Sequence, residues 1–134
     1  MFKSTPAFSS YSVNDIEAAK KFYSDILGFE VSQPMGQLSF NLANGHEVFI
    51  YGKPNHEPAT YTVLNFKVDD VEKVVDDLIA QGVKFEQYDS EYIKTDEKGI
   101  SRGSEGLLAM AWFKDPAGNI ISVLQKQIND QIYR

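Results

Sequence analysis

The chain has 134 residues, 43% of them hydrophobic, with 19 acidic and 13 basic side chains, a formal net charge of −6 and no cysteine. That length suits one domain with a proper core and is too short for two ordinary ones. The lack of cysteine excludes disulfides, thiolate metal sites and cysteine nucleophiles, and the negative charge disfavours nucleic acid and anionic membranes as partners. No stretch of 18 apolar residues occurs, and the start MFKSTPAF has no apolar signal region. Neither a membrane span nor secretion is therefore expected, and the expected compartment is the cytoplasm.

In chain order, AFSSYSV (7–13) alternates as a strand does and runs into DIEAAKKFYSDILG. There Asn14 with Glu17 fits a capping box, and Ile16, Ala19, Phe22, Tyr23, Ile26 and Leu27 form a helical apolar stripe that Gly28 ends. FEV (29–31), LSFNLAN (38–44) and EVFIYG (47–52) read as three strands, the last two joined by a hairpin turn at Asn44-Gly45. KPNHEPAT (53–60) has two prolines and no periodicity, so it reads as a linker. YTVLNFKV (61–68) then repeats the opening strand. Asp69 with Glu72 repeats the capping box, Val71, Val74, Val75, Leu78 and Ile79 repeat the stripe, and Gly82 repeats the stop before a strand in KFEQY. The charged stretch from Ser90 to Gly106 reads as a loop interrupting a strand, either a solvated surface or a lid. LLAMAWF and NIISVLQ close the chain as strands around KDPAG, where Pro116 and Gly118 suit a tight turn. The domain plan is one domain over 1–134, with module 1 at about 7–52, a linker at 53–60 and module 2 at about 61–126.

Two βαβββ modules, the first carrying DIEAAKKFYSDILGFEV and the second VDDVEKVVDDLIAQGV and WFKDPAGNIISVL, resemble the vicinal oxygen chelate superfamily. That superfamily includes glyoxalase I, extradiol dioxygenases, fosfomycin-resistance and bleomycin-resistance proteins. The resemblance implies an α+β fold of two tandem modules whose curved mixed sheets enclose a cavity, with the helices outside. It also implies a homodimer, as for other short two-module members. In metal-using members a ligand lies seven residues before the Asp that opens each helix, and another lies in the last strand, four residues beyond the turn Gly. Here those places hold Phe8 and Val63, then Phe49 and Ser122. Three carry no donor atom and the fourth is a poor ligand, so no metal and no cofactor are expected and the chain falls in a branch without the usual ligands.

Strand alternation places Ser10 and Ser12 with Phe8, and Asn65 and Lys67 with Val63, on the cavity side; Glu47 shares a side with Phe49, and Trp112 points inward if Phe113 packs on the helix. These aromatics either line a site for an apolar or aromatic ligand or fill the cavity as core, and alternation does not separate the two. His46 and His56 read as solvated loop residues without a metal-binding spacing. Glu47 reads either as an exposed strand-end carboxylate or as a buried base. The function expected is a metal-free small-molecule-binding protein. The alternative is a glyoxalase-like or dioxygenase-like enzyme acting on a small organic substrate, because fold alone does not give function.

Overall fold

In a computed structural model, residues 1–103 and 107–126 are described, with Leu107 and Leu108 described in backbone only. The chain divides into two compact units, Met1–Pro58 and Ala59–Arg134. Each unit is a mixed sheet with a helical segment, which makes the fold α+β.

In the first unit, strand β1 (Ser9–Val13) leads into helix α1 (Ile16–Lys21), which continues as a π-helical turn over Phe22–Ile26. The N-cap is Asp15, not Asn14, and its carboxylate accepts the Ala18 N–H at 3.1 Å. Both residues have capping side chains. Asp15, in extended conformation at φ −139°, is the one placed to reach the amide three residues on. Strands β2 (Leu38–Asn41) and β3 (Glu47–Gly52) complete the sheet in the order β1-β3-β2, with β1 parallel and β2 antiparallel to β3.

The strand expected at 29–31 is absent. The chain there makes a single bridge, Ser32 to Ser39, with two hydrogen bonds of 2.9 Å. A 3-10 turn at Pro34–Gly36 follows directly, and with Met35 at φ 51° and Gly36 at φ 79° it bends the chain before a ladder can lengthen. Phe29 is instead held by packing, its ring stacked on Phe40 at 4.4 Å.

The hairpin at Asn44-Gly45 also differs from a two-residue turn. The Gly45 N–H returns to the Leu42 carbonyl, so Ala43 and Asn44 are the central residues, and of the expected pair only Gly45 has a positive φ, 83°. That is a four-residue turn closed by a left-handed Gly.

Alternation sorts this sheet. Leu38, Phe40, Val48 and Ile50 are buried beneath the helical segment with Ala19, Phe22 and Tyr23. Tyr23 stacks on Phe40 at 5.3 Å and, having no exposure, satisfies its hydroxyl by bonding Tyr11 at 2.7 Å. Ser10, Ser12, Ser39, Asn41, Glu47, Phe49 and Tyr51 take the other, helix-free face by register.

The second unit repeats the plan with four strands. Strand β4 (Thr62–Lys67) precedes helix α2 (Val71–Ala80), and β5 (Ile100–Arg102), β6 (Leu107–Lys114) and β7 (Ile120–Lys126) complete the order β4-β7-β6-β5. Its N-cap is Asp70, again one residue beyond the expected Asp69, accepting the Lys73 N–H at 3.1 Å. Val71, Val75 and Leu78 are buried with Phe85, Phe113, Ile121 and Val123, whereas Ile79, expected in the stripe, is 43% exposed at the stripe's margin.

The strand expected in KFEQY reduces to one bridge, Phe85 to Phe113. Further along the same edge of β6, Ile100 pairs with Ala111. The residues between are thus a loop let into one edge strand, and Gly99 closes it against Phe85 and Glu86. Salt bridges tie this region to α2, from Lys98 in the loop to Asp76 at 2.9 Å and from Arg102 on β5 to Glu72 at 3.0 Å, while Arg102 also meets Asp96 of the loop at 3.7 Å. The last part of the expected 90–106 loop, Ser104 to Gly106, lies outside the described residues. No helix among the described residues is long and apolar enough to cross a membrane.

Candidate functional site

On the first sheet, the helix-free face gathers four of the residues singled out from sequence. Ser10 pairs with Phe49 across the parallel ladder, Ser39 pairs with Phe49 from the other side, and Asn41 pairs with Glu47. Phe8 lies outside the strand expected at 7–13, because the ladder starts at the Ser9–Val48 pair. It is 60% exposed, and its ring stands edge-on to Phe49 at 6.3 Å and 77°. Glu47, half-buried, accepts a hydrogen bond from Ser39 Oγ at 2.6 Å, which holds its carboxylate across the sheet rather than out in solvent. The face therefore offers an aromatic pair, hydroxyls and one carboxylate.

Both histidines lie in loops, as expected, but each is only partly solvated and has a partner on β1. His56 Nδ1 lies 2.7 Å from Ser12 Oγ and His46 Nε2 lies 2.9 Å from Ser9 Oγ, both rings being half-buried. Each pins a segment outside the sheet to β1, and a hydroxyl and an imidazole at this separation can also exchange a proton. No local pattern could have revealed these partners, which lie 44 and 37 residues apart in sequence.

On the second sheet, Asn65 pairs with Ser122, which pairs with Trp112, so these three occupy one face together with Lys67. Phe113, on the opposite face, has no exposure and meets Phe85 at 5.4 Å, so Trp112 points away from the helix. Ser122 is fully buried and donates to Asn65 Oδ1 at 2.5 Å; Asn65 and Lys67 are exposed. Val63 is half-buried within the register shift between Thr62 and Leu64, so simple alternation does not carry it onto the face of Asn65. Trp112 is 8% exposed because Tyr88 packs against it at 5.4 Å and 79°. Burial pushes the Tyr88 phenol above its usual value and the Glu86 carboxylate adds to this, while Lys114 opposes both. Tyr88 was not singled out from sequence; it comes from a loop whose ordering depends on Thr95 Oγ1 accepting the Tyr88 N–H at 2.8 Å.

The four positions where metal-using relatives carry ligands do not fit a divalent ion. Phe8, Phe49 and Val63 have no donor atom, and the Ser122 hydroxyl is directed to Asn65. Among the described residues no three His, Asp or Glu side chains cluster as a cation site would require.

Comparison with known proteins agrees with this architecture. An uncharacterized protein of Bacillus subtilis, YraH, is 29% identical over 126 residues, covering 83% of this chain and 90% of that protein. A genomically encoded fosfomycin resistance protein of Listeria monocytogenes superposes with a TM-score of 0.71 at 15% identity, covering 98% of each chain. An antibiotic-binding protein from a Streptomyces species superposes with a TM-score of 0.63 at 22% identity, covering 92% of this chain and 98% of that one. At such identities these two structures speak for the fold alone. Residues 7–123 match a family as a whole, and by that match the chain belongs to the Glyoxalase/Bleomycin resistance protein/Dioxygenase superfamily.

Proposed function

We propose that the chain is a small-molecule-binding protein that takes an apolar or aromatic organic ligand without a metal ion and acts in the cytoplasm. The observation that carries this reading is the uncovered aromatic pair on the first sheet: Phe8, 60% exposed, stands edge-on to a half-buried Phe49 among hydroxyls. A wall of that kind favours flat apolar groups, and the few polar atoms around it orient them. In this reading Ser10 and Glu47 are the polar contacts beside that pair; on the second sheet, taken by itself, Val63, Asn65, Lys67, Trp112 and Ser122 are the residues proposed for ligand contact. The antibiotic-binding relative from Streptomyces supports a binding role within this fold.

The test is calorimetric titration of 1-naphthylmethanol into the wild-type protein and Phe8→Asp. Phe8 is mostly exposed, so the variant should fold. Its affinity is expected to drop by about 2 kcal/mol, the order of cost for placing a charge in an apolar wall after partial relaxation. Equal affinities would remove Phe8 from the site, and no detectable binding to wild type would end the proposal. Ligand contact at Trp112, the sole tryptophan, should also shift its emission.

We also propose that the protein is a homodimer. Phe2 and Tyr61, 75% and 70% exposed, offer apolar surface that a second copy would cover. Sedimentation at micromolar concentration should show a species of twice the 15.1 kDa chain mass; a monomer alone would refute this.

A further inference from the structure

We propose that Glu47 makes the first-sheet site selective for ligands carrying a protonated amine beside their aromatic group, an inference that rests on the binding role above. Glu47 and Phe8 each lie one residue before the Ser9–Val48 pair that opens the parallel ladder, and Phe49 is two residues beyond Glu47 on its face. The carboxylate is thereby set beside the Phe8–Phe49 pair, and the 2.6 Å bond from Ser39 Oγ to one of its oxygens fixes it there.

Among the described residues the charge of this carboxylate has no salt-bridge partner. Every salt bridge among the described residues belongs to the second unit, and none involves Glu47. By register its face carries Ser10, Ser12, Ser39, Asn41, Phe49 and Tyr51, with no lysine or arginine among them. The neighbouring His46 directs Nε2 to Ser9 Oγ, and Ser9 pairs with the buried Val48 on the other side of the ladder. A half-buried carboxylate without a counter-ion attracts a cation more strongly than an exposed one, since less solvent screens it. An alkylammonium held there also lies within reach of aromatic rings, whose faces favour cations. The net charge of −6 favours the approach of such ligands over anionic ones.

The experiment titrates three probes of one shape, 1-naphthylmethylamine, 1-naphthylmethanol and 1-naphthoic acid, into wild type and Glu47→Gln at neutral pH and low salt. Wild type is expected to bind the amine about tenfold more tightly than the alcohol and to bind the acid most weakly, a ratio typical of one hydrogen bond to a charged partner. Glu47→Gln, nearly isosteric, is expected to bring amine and alcohol within about twofold, with the amine losing most of its affinity. Equal amine and alcohol binding in wild type would overturn the selectivity and leave aromatic binding standing. A preference that survives in Glu47→Gln would overturn the role of Glu47. Failure of all three probes to bind would remove both the inference and the binding role beneath it. The three-probe ranking in wild type decides the selectivity even if the variant does not fold.

Discussion

Replacing Gly99 by alanine is expected to destabilise the second unit by about 3 kcal/mol. Two costs combine: a left-handed backbone that disfavours a Cβ by about 1–2 kcal/mol, and overpacking worth about 1–3 kcal/mol. Gly99 has φ +87°, and a Cβ there would lie 2.8 Å from the Glu86 carbonyl oxygen and 2.8 Å from Phe85 Cβ. The carbonyl is backbone and Phe85 is 5% exposed, so neither can move aside cheaply. Gly103, at φ +76° with nothing within 4 Å of its Cβ position, serves as the control. Its alanine variant should lose about 1 kcal/mol, the conformational part alone. Urea denaturation of the two variants separates the terms, and equal losses would show that the contact with Phe85 and Glu86 is not what excludes a side chain at Gly99.

The second large effect is expected at Asp115, where substitution by alanine should cost about 3 kcal/mol, or roughly 1 kcal/mol for each of the hydrogen bonds its carboxylate makes in the turn. Asp115 is 4% exposed and accepts from Ala117 N at 3.0 Å, Asn119 N at 2.9 Å and Asn119 Nδ2 at 3.0 Å. These bonds shape the turn from β6 to β7, with Gly118 at φ 87° returning its N–H to the Asp115 carbonyl. Asp115→Asn should lose less than alanine, because one oxygen can still serve the two backbone amides. It would still set two amide groups against each other at Asn119. A loss below 1 kcal/mol for the alanine variant, measured by denaturation, would show that the turn holds without its carboxylate. The same turn fixes the register that sets Trp112 beside Ser122, so a weakened turn should also blur that face.

What could be read from the residues is what local chemistry enforces. Gly45 and Gly118 mark turns because a positive φ there excludes most side chains, and the stripe from Val71 to Leu78 marks a helix because only one face meets the sheet. Alternation put Trp112 and Phe113 on opposite faces, but which of the two meets the helix was decided only by the burial of Phe113 against Phe85. The caps slipped by one residue, since Asn14-Asp15 and Asp69-Asp70 both offer capping side chains and only the backbone at the strand exit chooses between them. Phe29 to Val31 alternates as a strand yet finds no ladder, because pairing depends on the path of the chain through Pro34 to Gly36. The carboxylate of Glu47 was visible, but its Ser39 tether was not, since that bond depends on which strands lie side by side.

The π-helical turn at Phe22–Ile26 bears on how the two halves line up with each other. From helix cap to terminating glycine, the first half, Asp15 to Gly28, is one residue longer than the second, Asp70 to Gly82. A wide turn absorbs one additional residue without ending a helix, and Ser24 Oγ closes it by donating to the Lys20 carbonyl at 2.6 Å. The first half therefore carries its additional residue inside a wide helical turn, not in a longer helix. Any residue-by-residue alignment of the halves must place its gap here: with it, Gly28 matches Gly82 and Tyr23 can be matched within the second stripe. Without the gap, every position after the first helix falls out of phase.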